Sequence, residues 1–148
     1  MILDYNNCQL TLNKINKTKT LIGGCFDLIH YGHLDFIRQS AKIADILIIA
    51  LEPDETIINK KRKPVHKQQQ RAELLDCLKY VDFVIKLPVL RGFDQYLQMV
   101  KKIRPNYIAV SENDHRLPNK RKQAELVNAE LIIINYKFRF STSDIINS

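Results

Sequence analysis

His30 and His33 stand three residues apart with Gly32 between them, directly after the apolar stretch Thr20-Leu21-Ile22-Gly23-Gly24-Cys25. Leu34, Phe36, Ile37 and Ala41 then recur at roughly helical spacing, so the pair falls where a strand hands over to a helix. A helix start offers unpaired N–H groups and the positive end of a dipole, which suits bound phosphate. Side chains at i and i+3 on the first turn face the same way, about 5–6 Å apart at Cβ. Gly32 removes a side chain where a ligand would come close, and Gly23-Gly24 are expected to let the preceding turn bend. The pattern reads as a phosphate site with two imidazole donors. A structural histidine pair and two ligands of a metal are the competing readings. For the metal no third ligand cluster is in evidence, since His66 and His115 are isolated and Cys8, Cys25 and Cys77 form no C-x-x-C.

The elements that must position these residues alternate along the chain. Strands are expected at Thr20–Cys25, Ile46–Leu51, Phe83–Leu87, Tyr107–Val110 and Leu131–Ile134, with helices near His33–Lys42, Gln69–Tyr80, Phe93–Lys102 and Asn119–Asn128. A last short helix is expected from about Ser143. Continuous apolar strands suit burial on both faces, so the expected fold is α/β: a Rossmann-like, doubly wound, five-stranded parallel sheet with helices on both faces. Such sheets bind ligands at the carboxyl ends of their strands, where strand order reverses. His30 and His33 follow the first strand, Asp54 and a basic loop the second, and Ser111 to His115 the fourth, so distant polar groups converge on one edge. Residues 1–19 read as an extension packed on the sheet or at a dimer surface, and 20–148 as the one functional domain.

At 148 residues the chain has room for a single core. Its longest apolar runs are strand-sized, no apolar leader opens it, and three cysteines without paired spacing point to free thiols. A cytoplasmic protein with no membrane partner is expected. The net charge of +7 is partly concentrated in Lys60-Lys61-Arg62-Lys63 with Lys67, and in Lys120-Arg121-Lys122. Neither run is interleaved with aromatics, so nucleic acid is not the expected partner; a nucleoside triphosphate also wants a basic cleft. The Lys120–Lys122 run reads as a solvated loop.

The stretch Gly24-Cys25-Phe26-Asp27 followed by His30-Tyr31-Gly32-His33 resembles the signature of the cytidylyltransferase-like nucleotidyltransferases: a strand ending in G-x-F-D, then H-x-G-H. Further landmarks follow in the same order from Leu21 to Ile146: Ala44-Asp45 before a strand, Pro53-Asp54-Glu55 after it, the basic loop, Gln70-Arg71 opening a helix, Val81-Asp82, and Ser141-Thr142-Ser143. The resemblance implies that a phosphate monoester attacks the α-phosphate of a nucleoside triphosphate and pyrophosphate leaves, with magnesium carried by the nucleotide rather than by a protein metal site. Such transfer needs positioning and positive charge more than covalent help.

By that resemblance His30, His33 and Lys60 are the catalytic residues, Lys61 or Lys63 being able to take the role of Lys60. Gly24, Cys25, Phe26, Asp27, Gly32, Arg62, Arg71, Asp114, Ser141, Thr142 and Ser143 are implied in nucleotide and phosphate binding. For Arg71 a structural salt bridge stands beside phosphate contact, and Asp27 either orders the loop or helps organise the magnesium–nucleotide site. Ser141 to Ser143 precede the expected last helix, where their hydroxyls are expected to form an anion site, simple N-capping being the alternative. Two family features are altered. Tyr136 stands where many members have an arginine ahead of the S-T-T, and Ser111-Glu112-Asn113-Asp114 lacks the family's glycines. The G-C-F-D form and Lys63-Pro64-Val65 ahead of Gln70-Arg71 resemble the heptose 1-phosphate adenylyltransferases, so AMP transfer from ATP to a sugar or polyol phosphate is expected. Glycerol 3-phosphate cytidylyltransferase, using CTP, is the alternative, and a non-catalytic nucleotide-binding module a further one. A homodimer is expected from the family.

Overall fold

In the computed structural model residues 1–135 are described. Six parallel strands form one sheet: β1 (Ile2–Asp4), β2 (Lys19–Gly24), β3 (Ile46–Leu51), β4 (Phe83–Lys86), β5 (Tyr107–Ser111) and β6 (Glu130–Ile134), in the order β1-β4-β3-β2-β5-β6. The expected class holds, with a correction in strand number. β1 extends the edge beside β4, pairing Ile2 with Val84 and Asp4 with Lys86. Three residues are too short a run to show an alternation, which hid this strand. The helices are α1 (Cys8–Leu12), α2 (Tyr31–Ala41), α3 (Asp54–Ile58), α4 (Gln68–Asp76), α5 (Gly92–Ile103) and α6 (Leu117–Leu126). Among the described residues, no helix is long and apolar enough to cross a membrane. The expected final helix, with Ser141, Thr142 and Ser143, lies outside the described residues.

The pleat of β3 explains its unbroken apolar run. Ile48 and Ala50 face a core shared with Leu12 of α1, Met99, Val100 and Ile103 of α5 and Ala124 of α6. Leu47, Ile49 and Leu51 face the opposite core, with Phe36 and Ile37 of α2 and Ala72 and Leu75 of α4. β3 is buried on both faces, and burying each such side chain contributes about 1.5–3 kcal/mol.

The chain runs outward from β2 through β3 to β4, then returns to place β5 on the other side of β2, so the order reverses between β2 and β5. These two strands pair only through Thr20–Tyr107 and Leu21–Ile108, whereas β2 pairs with β3 all the way to Gly24–Leu51. β2 and β5 thus part toward their carboxyl ends and leave a crevice. Gln68 closes the neighbouring gap, its Nε2 donating to Leu51 O at 3.0 Å and Leu87 O at 2.8 Å.

Candidate active site

α2 begins at the histidines. His30 is its extended N-cap and His33 the third helical residue. The His30 N–H donates to His33 Nδ1 at 3.3 Å, and the His33 N–H donates to His30 Nδ1 at 3.4 Å. Each ring therefore does for the other's backbone what the acid and hydroxyl do in a capping box. The rings stack at 3.8 Å between centroids, 19° apart, and Phe26 meets His33 edge-on at 5.2 Å. With both Nδ1 atoms accepting, the ring protons belong on Nε2. Burial, reinforced by the adjacent His30, pushes His33 down to about 3. It is a neutral donor at any physiological pH.

The turn before the histidines is built differently from the expectation. Gly23 and Gly24 lie inside β2, and the backbone takes its positive φ, 47°, at Phe26. Gly24 is needed for room instead, since a Cβ there would meet the Phe26 ring at 3.0 Å.

Asp27, buried, ties this turn to the basic loop. Its carboxylate accepts from the N–H groups of Val65 (2.9 and 3.0 Å) and His66 (3.0 Å) and pairs with Arg62. Burial alone would raise its pKa, but those two N–H groups and the Arg62 guanidinium outweigh it and hold the carboxyl below its usual value. Arg62 is thus committed to Asp27. Lys60 is exposed, with Nζ 3.8 Å from Cys25 Sγ. Burial raises the Cys25 thiol above its ordinary value, against the pull of Lys60.

Arg71 is wholly buried. Nε donates to His66 O at 3.1 Å, Nη1 to Cys25 O at 2.6 Å and Glu52 O at 2.9 Å, and Nη2 to Asp54 Oδ1 at 2.6 Å. It joins the turn after β2, the end of β3, the basic loop and α3, and it lines neither cavity described below.

A cavity of about 150 Å³ lies in the crevice between β2 and β5, reached by Gly24, Cys25, Phe26, His33 and Asp114. A larger one, about 400 Å³, lies on the α5 side of the sheet. Leu21, Leu87, Phe93, Met99, Val100 and Ile108 give it an apolar wall, into which the buried Glu52 and Gln123 are also set, and the more exposed Lys60, Cys25 and Asp114 stand at its mouth. Gly23, Gly24, Cys25, Asp114 and Lys120 border both cavities. The structure thus brings together Gly24, Cys25, Phe26, His33, Lys60 and Asp114, with His30 stacked behind and Gly32 buried in the first turn of α2.

Lys120 corrects its expectation. It lies in α6, within the helix expected at Asn119–Asn128, and is held rather than solvated: Nζ donates to Asp114 Oδ2 at 2.6 Å. Asp114 Oδ1 accepts from the Arg116 N–H at 2.8 Å. Burial would raise this carboxyl, but Lys120 and the Arg116 N–H lower it overall. The run misled because α6 starts at Leu117 and turns its first residues back over the cavity; Arg121 and Lys122 are exposed.

Glu52, Tyr96 and Arg116 escaped the sequence reading. Glu52 follows β3 on the face of Ile48 and Ala50 and lines the larger cavity with Tyr96 and Arg116. A carboxylate in step with an apolar strand face was a usable signal for Glu52, and the Phe93, Tyr96, Val100, Ile103 spacing one for Tyr96. Nothing in the spacing marked Arg116.

Among the described residues no group of three or more His, Cys, Asp or Glu side chains comes together to hold a metal. Asp27, already engaged by Arg62, Val65 and His66, does not fit the role of a magnesium ligand.

Residues 21–147 match the cytidylyltransferase-like family. A protein named FAD synthase from Thermococcus kodakarensis is 36% identical over 141 residues, 90% of this chain and 92% of that protein. The bifunctional protein HldE of Campylobacter fetus is 33% identical over 140 residues, 93% of this chain but 29% of that longer protein. The crystal structure of a lipopolysaccharide core biosynthesis protein from Thermoplasma volcanium shares the fold, with a TM-score of 0.67 at 21% identity, covering 84% of this chain and all of that one.

Proposed function

Because this chain belongs to the cytidylyltransferase-like family of nucleotidyltransferases, we propose that it transfers AMP from ATP to the phosphate of FMN, forming FAD and pyrophosphate. A phosphate oxygen of the acceptor attacks the α-phosphorus, and the bond from that phosphorus to the oxygen bridging the β-phosphate breaks. The electron pair leaves with pyrophosphate. Magnesium would be held by the triphosphate itself and would supply counter-charge to it.

His30 and His33 are the proposed catalytic donors. The His33 Nε2–H, at the smaller cavity, serves the phosphate oxygens that gain charge as the bridge breaks, and a neutral ring donates there without first losing a hydration shell; His30, its Nε2 buried, is the proposed second donor behind it. Lys60, at the mouth of the acceptor cavity, supplies the cation beside the incoming phosphate. Arg62 and Arg71 act one step back, by holding the basic loop against the G-C-F-D turn. Ser141 to Ser143 are proposed to take the outer phosphates, as the family motif implies, and a homodimer remains the proposed assembly.

The observation that carries the acceptor reading is the apolar inner wall of the 400 Å³ cavity. A flat flavin ring buries well against Leu21, Phe93, Met99 and Ile108. A heptose could pair some of its hydroxyls with polar lining groups such as Glu52 and Gln123, but it would cover less of the apolar wall. The names of the FAD synthases similar to this chain support the same acceptor. A sugar 1-phosphate is the second reading, favoured by the Lys63-Pro64-Val65 stretch and by the similarity to HldE.

The test is magnesium-dependent pyrophosphate release with ATP or CTP against FMN, a sugar 1-phosphate and glycerol 3-phosphate. Release with ATP and FMN, matched by FAD, is expected. Release only with a sugar or polyol phosphate moves the acceptor, release only with CTP moves the base, and nucleotide binding without release from any pair favours a binding module.

A further inference from the structure

Glu52, directly after β3, sets a carboxylate into the wall of the larger cavity. It is 7% exposed, and its backbone is doubly pinned: Glu52 N–H donates to Gly24 O at 3.0 Å, and Arg71 donates to Glu52 O. Oε1 accepts from the Tyr96 hydroxyl at 2.9 Å and lies 3.6 Å from Arg116 Nη1. Oε2 accepts from the Thr56 hydroxyl at 3.1 Å. The Arg116 guanidinium in turn lies over the Tyr96 ring, 5.0 Å from its centroid.

These contacts orient the carboxylate without saturating it. Each carboxylate oxygen has two lone-pair directions, so a hydroxyl donor on each leaves accepting capacity on both. The nearby cation stands farther off than a hydrogen bond. A desolvated carboxylate beside apolar carbon is costly unless further donors arrive, and here they would have to come from the cavity's occupant. What the wall offers is an acceptor, Glu52, next to a donor, Arg116, above an apolar floor. The matching ligand edge is an N–H flanked by a carbonyl on a flat ring.

We infer that Glu52 and Arg116 are specificity residues for the acceptor, reading the imide edge of the flavin: Glu52 accepts from the ring N3–H, and Arg116 donates to the adjacent carbonyl. Tyr96 and Thr56 are positioning residues that fix the carboxylate. The assignment rests on the FMN reading above. It adds that the acceptor is chosen by its ring N–H as well as by its phosphate.

The test compares FMN with N3-methyl FMN as acceptors, with ATP as donor, in the wild-type chain and in Glu52→Gln. In the wild-type chain kcat/KM for FMN should exceed that for the methylated analogue by about tenfold or more, because the methyl removes the donor and meets the carboxylate. In Glu52→Gln the preference should fall to within about threefold, with KM for FMN raised about tenfold and KM for ATP moved far less. Equal wild-type use of both flavin phosphates overturns the assignment and leaves FMN as the acceptor. Use of neither overturns the acceptor reading and this assignment with it. The wild-type comparison decides the matter even where Glu52→Gln does not fold. A folded Glu52→Gln that keeps the full preference also overturns it.

Discussion

At the His30–His33 corner the contacts that set the geometry span three residues of chain, whereas around Glu52 they reach from residue 52 to 56, 96 and 116. The first region is a helix start that caps itself with the side chains it presents. The second exists only once β3, α5 and the loop before α6 have been brought together by the sheet. The two share the strand end Gly23-Gly24-Cys25 and the Asp114–Lys120 pair. On the proposed function the difference separates chemistry from choice: the proposed phosphate donors fit into ten consecutive residues, while the surface proposed to select the acceptor is assembled by topology.

Arg71 is the strut common to both regions, bonding Cys25 O on one side and Glu52 O on the other. Arg71→Met leaves Asp54 and three carbonyls without their donor, and should lower unfolding free energy by about 3–5 kcal/mol. Urea unfolding measures it. A loss below about 1 kcal/mol means that the two regions do not depend on a shared support.

Asp27→Asn breaks only the phosphate corner, by loosening the basic loop. A loss of about 1–3 kcal/mol is expected at neutral pH. Because the folded-state pKa of Asp27 lies below its ordinary value, its stabilisation is present above the unfolded pKa and disappears as pH falls through the folded one. The difference between wild type and variant in urea should therefore hold from pH 6 to about pH 4, the ordinary aspartate value, and shrink on acidification below it. A difference that stays constant removes the carboxylate from the account.

His33 carries a sign of its own. The unfolded chain takes up a proton near 6.5 and the folded chain not until about 3, so folding loses stability across that interval as pH falls. His33→Gln keeps a side chain able to cap at that helix position and should flatten this part of the profile. An unchanged profile would mean that His33 is protonated in the folded chain.

The smallest effect is expected from Tyr96→Phe. Losing one hydroxyl to Glu52 should raise KM for the acceptor about three- to tenfold, read in steady-state kinetics at saturating ATP. An unchanged KM detaches Tyr96 from acceptor binding.

The same contrast explains what could be read in advance. The doubly wound parallel sheet followed from strands such as Ile46–Leu51, apolar on both faces, and five strands were visible because each exceeded a turn's worth of apolar residues. β1 was not, being three residues whose partner lies some eighty positions away. Helix ends shifted where capping decided them: α2 starts at Tyr31 because His30 caps it, two residues ahead of the periodic signal. His30, His33 and Lys60 were legible from local motif and order. Arg71 was legible as important but not as buried, since burial depends on four segments meeting. Lys120 read as solvent-facing because a charge run carries no information about the helix start beneath it.

The central claim is that His33, neutral and capped by His30, stabilises charge leaving the α-phosphate. The measurement that tests it most directly is the rate of FAD and pyrophosphate formation from saturating ATP and FMN by the wild-type chain and by His33→Ala, with ATP binding measured on both. A fall of about 10²–10³ in kcat with nucleotide binding retained is the predicted result. Turnover by His33→Ala at the wild-type rate would contradict it.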